Sequence, residues 1–95
     1  MTQEPVCSRT VIINLKSGLH LRPISQIAET ARRFNGDVWI RKADSKVDAK
    51  SVLDLMTLNA QFGTSVTLEA AGDGAAELIE ELSQLVERNF DVDNS

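Results

Sequence analysis

Four short stretches of this chain alternate apolar and polar residues, so each offers a single apolar face. Ser8–Leu15 sets Val11, Ile13 and Leu15 against Ile12. Asp37–Arg41 sets Val38 and Ile40 against Trp39, Lys46–Ala49 adds a short third stretch, and Thr64–Ala71 alternates Val66, Leu68 and Ala70. A two-residue period is the spacing of a strand buried on one side only. Ala43-Asp44-Ser45 reads as the turn joining the second and third strands into a hairpin. A sheet built this way needs one cover, and the intervening segments supply it. Leu21–Phe34 repeats Ile24, Ile27, Ala28, Ala31 and Phe34 at helical spacing and stops at Asn35-Gly36, with Arg32 and Arg33 in the last turn. Ser51–Leu58 opens with Ser51 and Asp54 at capping-box spacing ahead of Leu55, Met56 and Leu58. After Gly72-Asp73-Gly74, a stripe of Leu78, Ile79, Leu82, Leu85 and Val86 opposes Glu77, Glu80, Glu81 and Glu87. The order β-α-β-β-α-β-α predicts an α+β two-layer sandwich.

With 95 residues, the chain can bury one such core and no more, which predicts a single domain over 1–95 with an ordered core about 8–90. The tail Asp91–Ser95 is expected to fray. Three Phe, one Trp and no Tyr leave few rings for stacking bases, and a net charge of −4 opposes binding to a phosphate backbone. Nucleic acid is therefore not an expected partner. No apolar run approaches the ~20 residues of a membrane span. The start Met1-Thr2-Gln3-Glu4-Pro5 lacks the basic and apolar regions of a signal peptide, so a cytoplasmic location is expected. One cysteine, Cys7, and one histidine leave no internal disulfide, no multi-ligand metal site and no need for a bound metal or nucleotide. The scattered acidic residues read as solvated surface.

The segment that stands apart is Gly18-Leu19-His20-Leu21-Arg22-Pro23, at the junction of the first strand and first helix. His20 falls at or beside the N-cap. There the first helical N–H groups lack intrahelical partners, and the helix dipole adds about half a positive charge. An anion attached to the His20 ring could take hydrogen bonds from the Leu21 and Arg22 amides, with the Arg22 guanidinium alongside. Pro23 has no N–H to lose in the first turn, and Gly18 lets the backbone bring the ring over the helix end. The same field disfavours a positively charged ring and favours a nucleophilic one. Read from spacing alone, His20 as a mediocre cap beside a solvated Arg22 fits equally well.

In this order the residues resemble the phosphorylation-site motif of HPr, the histidine-containing phosphocarrier of the bacterial phosphoenolpyruvate-dependent sugar phosphotransferase system. Ala49-Lys50-Ser51-Val52-Leu53 is similar to that family's serine-site segment, and Leu55-Met56-Thr57-Leu58 and Gly63-Thr64 before Val66-Thr67-Leu68 also fit. The resemblance runs from about Thr10 to Phe90. It implies an open-faced β-sandwich, a four-stranded antiparallel sheet with three helices on one face. It also implies a carrier rather than a free-standing enzyme. His20 would accept a phosphoryl group on Nδ1 from phospho-enzyme I and pass it to a histidine of a IIA domain. Arg22 would neutralise the phosphate, and the Leu21 and Arg22 backbone would cradle it.

The docking surface carried over from the family comprises Leu21, Arg22, Ser25, Lys50, Val52, Leu53 and Met56, although Val52, Leu53 and Met56 also suit a core. Ser51 matches the serine phosphorylated where an HPr kinase/phosphorylase is present, and equally suits a plain N-cap. A monomer is expected. Three departures from the pattern bear on partners. Leu21 replaces the usual Ala or Thr; Asp54 and Glu29 stand where basic residues are common; and the remaining docking cations are Arg22, Arg32, Arg33 and Lys50. A nitrogen-type or Ser51-controlled regulatory module is thus the alternative to sugar uptake. A stand-alone His-dependent enzyme would need partners for His20 that the sequence lacks. Trp39 and Ile12 are expected on the sheet face away from the helices. Trp39 reads as an isolated surface aromatic or as a contact point, and no role is expected for Cys7.

Overall fold

The alternating segments pair as strands because each has an antiparallel neighbour to complete its backbone hydrogen bonds. In the computed structural model, which describes residues 6–91, β1 (Val6–Ile12), β2 (Asp37–Lys42), β3 (Ser45–Asp48) and β4 (Ser65–Ala71) form one sheet in the order β1-β4-β2-β3. β4 is central: its Leu68 faces Arg9 on one side and Ile40 on the other. The helices α1 (Leu21–Arg32), α2 (Val52–Thr57) and α3 (Ala75–Glu87) cover one face. The architecture is the open-faced α+β sandwich with four antiparallel strands and three helices.

Helices α1 and α3 bury the stripes their spacing predicts, whereas in α2 Leu55 is buried and Met56 is exposed. Ile24, Ile27, Ala28 and Ala31 of α1 and Leu78, Ile79, Leu82, Leu85 and Val86 of α3 meet Val11, Val38, Ile40, Val66, Leu68 and Ala70 of the sheet. Ile13 and Leu15 are buried too, but beyond the end of β1. The first strand thus starts two residues earlier and ends three residues earlier than the expected Ser8–Leu15. The ladder to β4 extends to Val6↔Ala71, whereas after Ile12 only Ile13 continues, bonding the Gly63–Thr64 turn at 2.7 and 2.9 Å. Past α3 the chain enters a 3-10 turn, Asn89–Asp91, with all three residues at positive φ and Phe90 buried. Its carbonyl accepts Gln26 Nε2 of α1 at 3.2 Å. The rest of the tail expected to fray, 92–95, and the polar start, 1–5, lie outside the described residues.

The uncovered face is polar and cross-linked. Glu69, its side chain 14% exposed, accepts from Arg41 Nε at 3.1 Å and pairs with Lys46 Nζ at 3.2 Å. That ammonium also lies 4.2 Å from the centroid of Trp39. As expected, Trp39 and Ile12 are on this side, but Trp39 is half-buried under Lys46. Burial alone would raise the Glu69 carboxyl, but hydrogen bonds from Lys46 and Arg41 and their charge outweigh it and lower the pKa below 4.5. A carboxyl depressed by folding contributes stability that is complete above its unfolded value and lost as pH falls through the folded one. The denaturant midpoint should therefore drop more steeply between about pH 5 and about pH 3 in the wild type than in Glu69→Gln. Parallel pH profiles for the two proteins would refute the assignment.

Candidate functional site

Between β1 and α1 the chain turns where the Gly18 N–H donates to the Leu15 carbonyl at 2.8 Å. Gly18 has φ +72, and a Cβ there would stand 2.7 Å from the Ala60 carbonyl oxygen, so the position needs glycine on both counts. The Leu19 N–H donates to that same carbonyl at 2.8 Å. His20 follows at the N-cap of α1, extended at φ −117 and ψ −174, its carbonyl accepting the Ile24 N–H at 3.0 Å.

The His20 side chain makes no capping hydrogen bond. The Leu21 and Arg22 amides, first in the helix, lack intrahelical partners, and Pro23 is buried with no N–H to offer. Arg22 is exposed and has no ion-pair partner among the described residues. A shallow hollow runs along this face of α1, lined by His20, Leu21, Arg22, Ser25, Gln26 and Glu29. A half-buried imidazole therefore stands beside two unpaired amides, the positive end of a helix and a free guanidinium. This arrangement suits holding an anion on the ring.

The structure divides the expected docking residues. Leu21, Leu53 and Met56 are 60%, 76% and 52% exposed, on two helices that pack together, and Ser25 is exposed beside His20. Val52 instead packs against the core. The expected docking cations are mostly engaged. Lys50 Nζ donates to the Phe34 carbonyl at 2.7 Å, Arg32 Nε to the Lys50 carbonyl at 2.9 Å, and Arg33 pairs with Glu81 at 3.1 Å. Lys50 and Arg32 tie the end of α1 to the α2 approach and Arg33 ties it to α3, leaving Arg22 as the one of the four with no such bond among the described residues. Ser51 is the N-cap of α2, its Oγ accepting the Asp54 N–H at 3.1 Å. Sequence reading missed Phe62, 57% exposed in the turn that receives the Leu19 bond. Beside Gly63 it carries only the signal of a turn.

Comparison with known proteins gives the same answer as the fold and the helix end. A family model described as the PTS HPr component phosphorylation site matches residues 7–88. The chain is 42% identical over 77 residues to the HPr-like protein Crh of Bacillus subtilis, covering 81% of this chain and 91% of that protein. It is also 42% identical over 79 residues to the phosphocarrier protein HPr of Neisseria meningitidis, covering 83% and 88%. Among solved structures, HPr-C-His from Thermoanaerobacter tengcongensis superposes with a TM-score of 0.87 at 37% identity, covering 92% of this chain and 98% of that one. The fold and the family match define the class, the small HPr-type proteins related to the phosphotransferase system. The chain belongs to the HPr phosphocarrier family. Among the described residues, no helix is long and apolar enough to cross a membrane.

Proposed function

We propose that this chain carries phosphoryl groups on His20, from phospho-enzyme I to a IIA domain, in sugar uptake by the phosphotransferase system. The observation that carries the reading is the helix end itself: an imidazole with no capping hydrogen bond, next to Leu21 and Arg22 amides that lack intrahelical partners and an Arg22 side chain unpaired among the described residues. The ring nitrogen attacks phosphorus as the bond to the donor histidine breaks, and the incoming charge meets groups already in place. In onward transfer the IIA histidine attacks the phosphorus as the bond to His20 breaks, which returns the ring to its starting form. The exposed Leu21, Leu53 and Met56 give a small patch suited to brief encounters with two partners in turn. Support for those partners comes from a multiphosphoryl transfer protein of Xanthomonas campestris, in which the matching segment is 8% of a longer chain.

The second reading is a regulatory one, favoured by the likeness to Crh and by Ser51 at a helix start. Phosphorylation there would add about two negative charges beside Leu53 and Met56. Related structures include a domain-swapped dimer of Crh and a dimer of an HPr, so the assembly state of this chain is to be measured with its phosphorylation.

The test is incubation with phosphoenolpyruvate and enzyme I, with intact mass read before and after brief acid treatment. One acid-labile phosphate per chain is expected. No phosphate on a folded chain, with the enzyme I shown active on another carrier, would refute the carrier reading. Loss of a regulatory output in Ser51→Asp but not in His20→Ala would favour the second reading.

A further inference from the structure

Resting on the assignment of His20 as acceptor, we infer that Lys42 is a positioning residue for its ring. Lys42 ends β2, and the pleat puts it on the same side as the buried Val38 and Ile40. From there its ammonium reaches two backbone carbonyls just past α2, donating to Leu58 O at 3.0 Å and Asn59 O at 2.9 Å. These lie at the negative end of the short helix, so both bonds are charge-assisted. They also hold Asn59 in a left-handed conformation, φ +51, that an asparagine tolerates but does not favour.

The next residue connects this anchor to the site. Ala60 is buried, its carbonyl accepts the Leu19 N–H, and the same oxygen lies against Gly18. Leu19 and His20 are adjacent. Because the ring makes no capping bond, its placement follows from the backbone on either side of it. Helix α1 fixes one side, and the Leu19–Ala60 bond fixes the other. The outer part of the turn has its own ties, from Gln61 to Thr64 and from Gly63 to Ile13. Among the described residues, Lys42 is the side chain that ties its inner part, Leu58 and Asn59, to the sheet. Lys42 is not among the residues lining the hollow beside His20, and its ammonium bonds instead to Leu58 and Asn59. Its loss should therefore alter the precision of attack and leave docking alone.

The experiment compares Lys42→Met, which keeps the stem and removes the donor, with Lys42→Arg and the wild type. Amide exchange at Leu19 should quicken by about tenfold in Lys42→Met relative to the Ile27 and Leu82 amides, as expected for losing a pair of bonds at one end of a turn. With phospho-enzyme I as donor, kcat for the carrier should fall about three- to tenfold with KM unchanged, since misplacement costs rate and the docking surface is intact. Lys42→Arg should restore both. Should Lys42→Met fold poorly, Lys42→Gln, which keeps an uncharged and shorter N–H donor group, should fall between. Exchange rising equally at Leu19, Ile27 and Leu82 would reduce Lys42 to general stability and overturn the inference, as would a loosened Leu19 with unchanged kcat. Failure of the wild type to take up phosphoryl overturns the underlying assignment, and is seen separately because the Leu19 amide is read without any donor.

Discussion

His20→Ala is expected to fold like the wild type and to take up no acid-labile phosphate. The folding half follows from what the side chain does not do. It makes no capping bond and is only half-buried, while the first helical bond, from Ile24, goes to the backbone carbonyl that alanine retains. Histidine is not among the good N-caps, so the substitution should cost below about 0.5 kcal/mol. The chemical half follows from the inventory. The sequence holds no other histidine, and Cys7 pairs with Ala70, far along the sheet from the Gly63–Thr64 end where the Gly18 turn lies. Loss of acid-labile phosphate should therefore be complete rather than partial, because the hydroxyl beside the ring, Ser25, could form only an acid-stable ester. Intact mass with and without acid, alongside thermal unfolding, separates the two halves. An acid-labile phosphate surviving in the variant would move the acceptor elsewhere and discard the assignment of His20.

Gly36→Ala should be the most destabilising single-methyl change in the chain. Gly36 does not sit at positive φ; what forbids a side chain is space. A Cβ would overlap the Ala71 carbonyl oxygen and stand 2.6 Å from Phe34 Cε2. The neighbour at fault is backbone, and it belongs to the residue where β4 pairs with Val6 of β1 on one side and Asp37 of β2 on the other. Relief by moving Ala71 disturbs both ladders; relief by moving Gly36 pulls β2 from its register. Overpacking of this kind should cost about 3 kcal/mol. For a domain this small the melting temperature would fall by roughly 15 °C. Gly63→Ala is the natural control: nothing lies within 4 Å of its Cβ, and only its φ of +84 is strained, so about 1 kcal/mol is expected. Equal losses in the two variants would show that space at Gly36 is not what limits it.

The sheet and its cover were legible because period two and period 3.6 are both strong in Val38–Ile40, Val66–Ala70 and the α3 stripe. Boundaries were less so. Ser8, Arg9 and Thr10 carry no apolar alternation, and β1 reaches back to Val6 because of what β4 offers across the ladder. Ile13 and Leu15 kept the strand's inward rhythm after the strand had ended. At the site, the placement of His20, Leu21 and Arg22 followed from a glycine, a cap and a proline within six residues. The fate of the cations did not. Whether Lys50 faces a partner or bonds Phe34, sixteen residues away, depends on how α1 and α2 lie together. No local pattern encodes that, nor the reach of Lys42 to Leu58 and Asn59.

Trp39 gives the molecule an optical asymmetry. It is the sole tryptophan in a chain without tyrosine, and it lies under Lys46 on the face opposite the helices. Intrinsic fluorescence therefore comes from one place, and that place is the back of the sheet. Emission will follow unfolding and any event that displaces Lys46 or Glu69, while a protein docking on α1 and α2 leaves the fluorophore in unchanged surroundings. Studies of binding at the helical face consequently need a reporter introduced on that side, and the native signal is free to serve as a clean gauge of folding in the same sample.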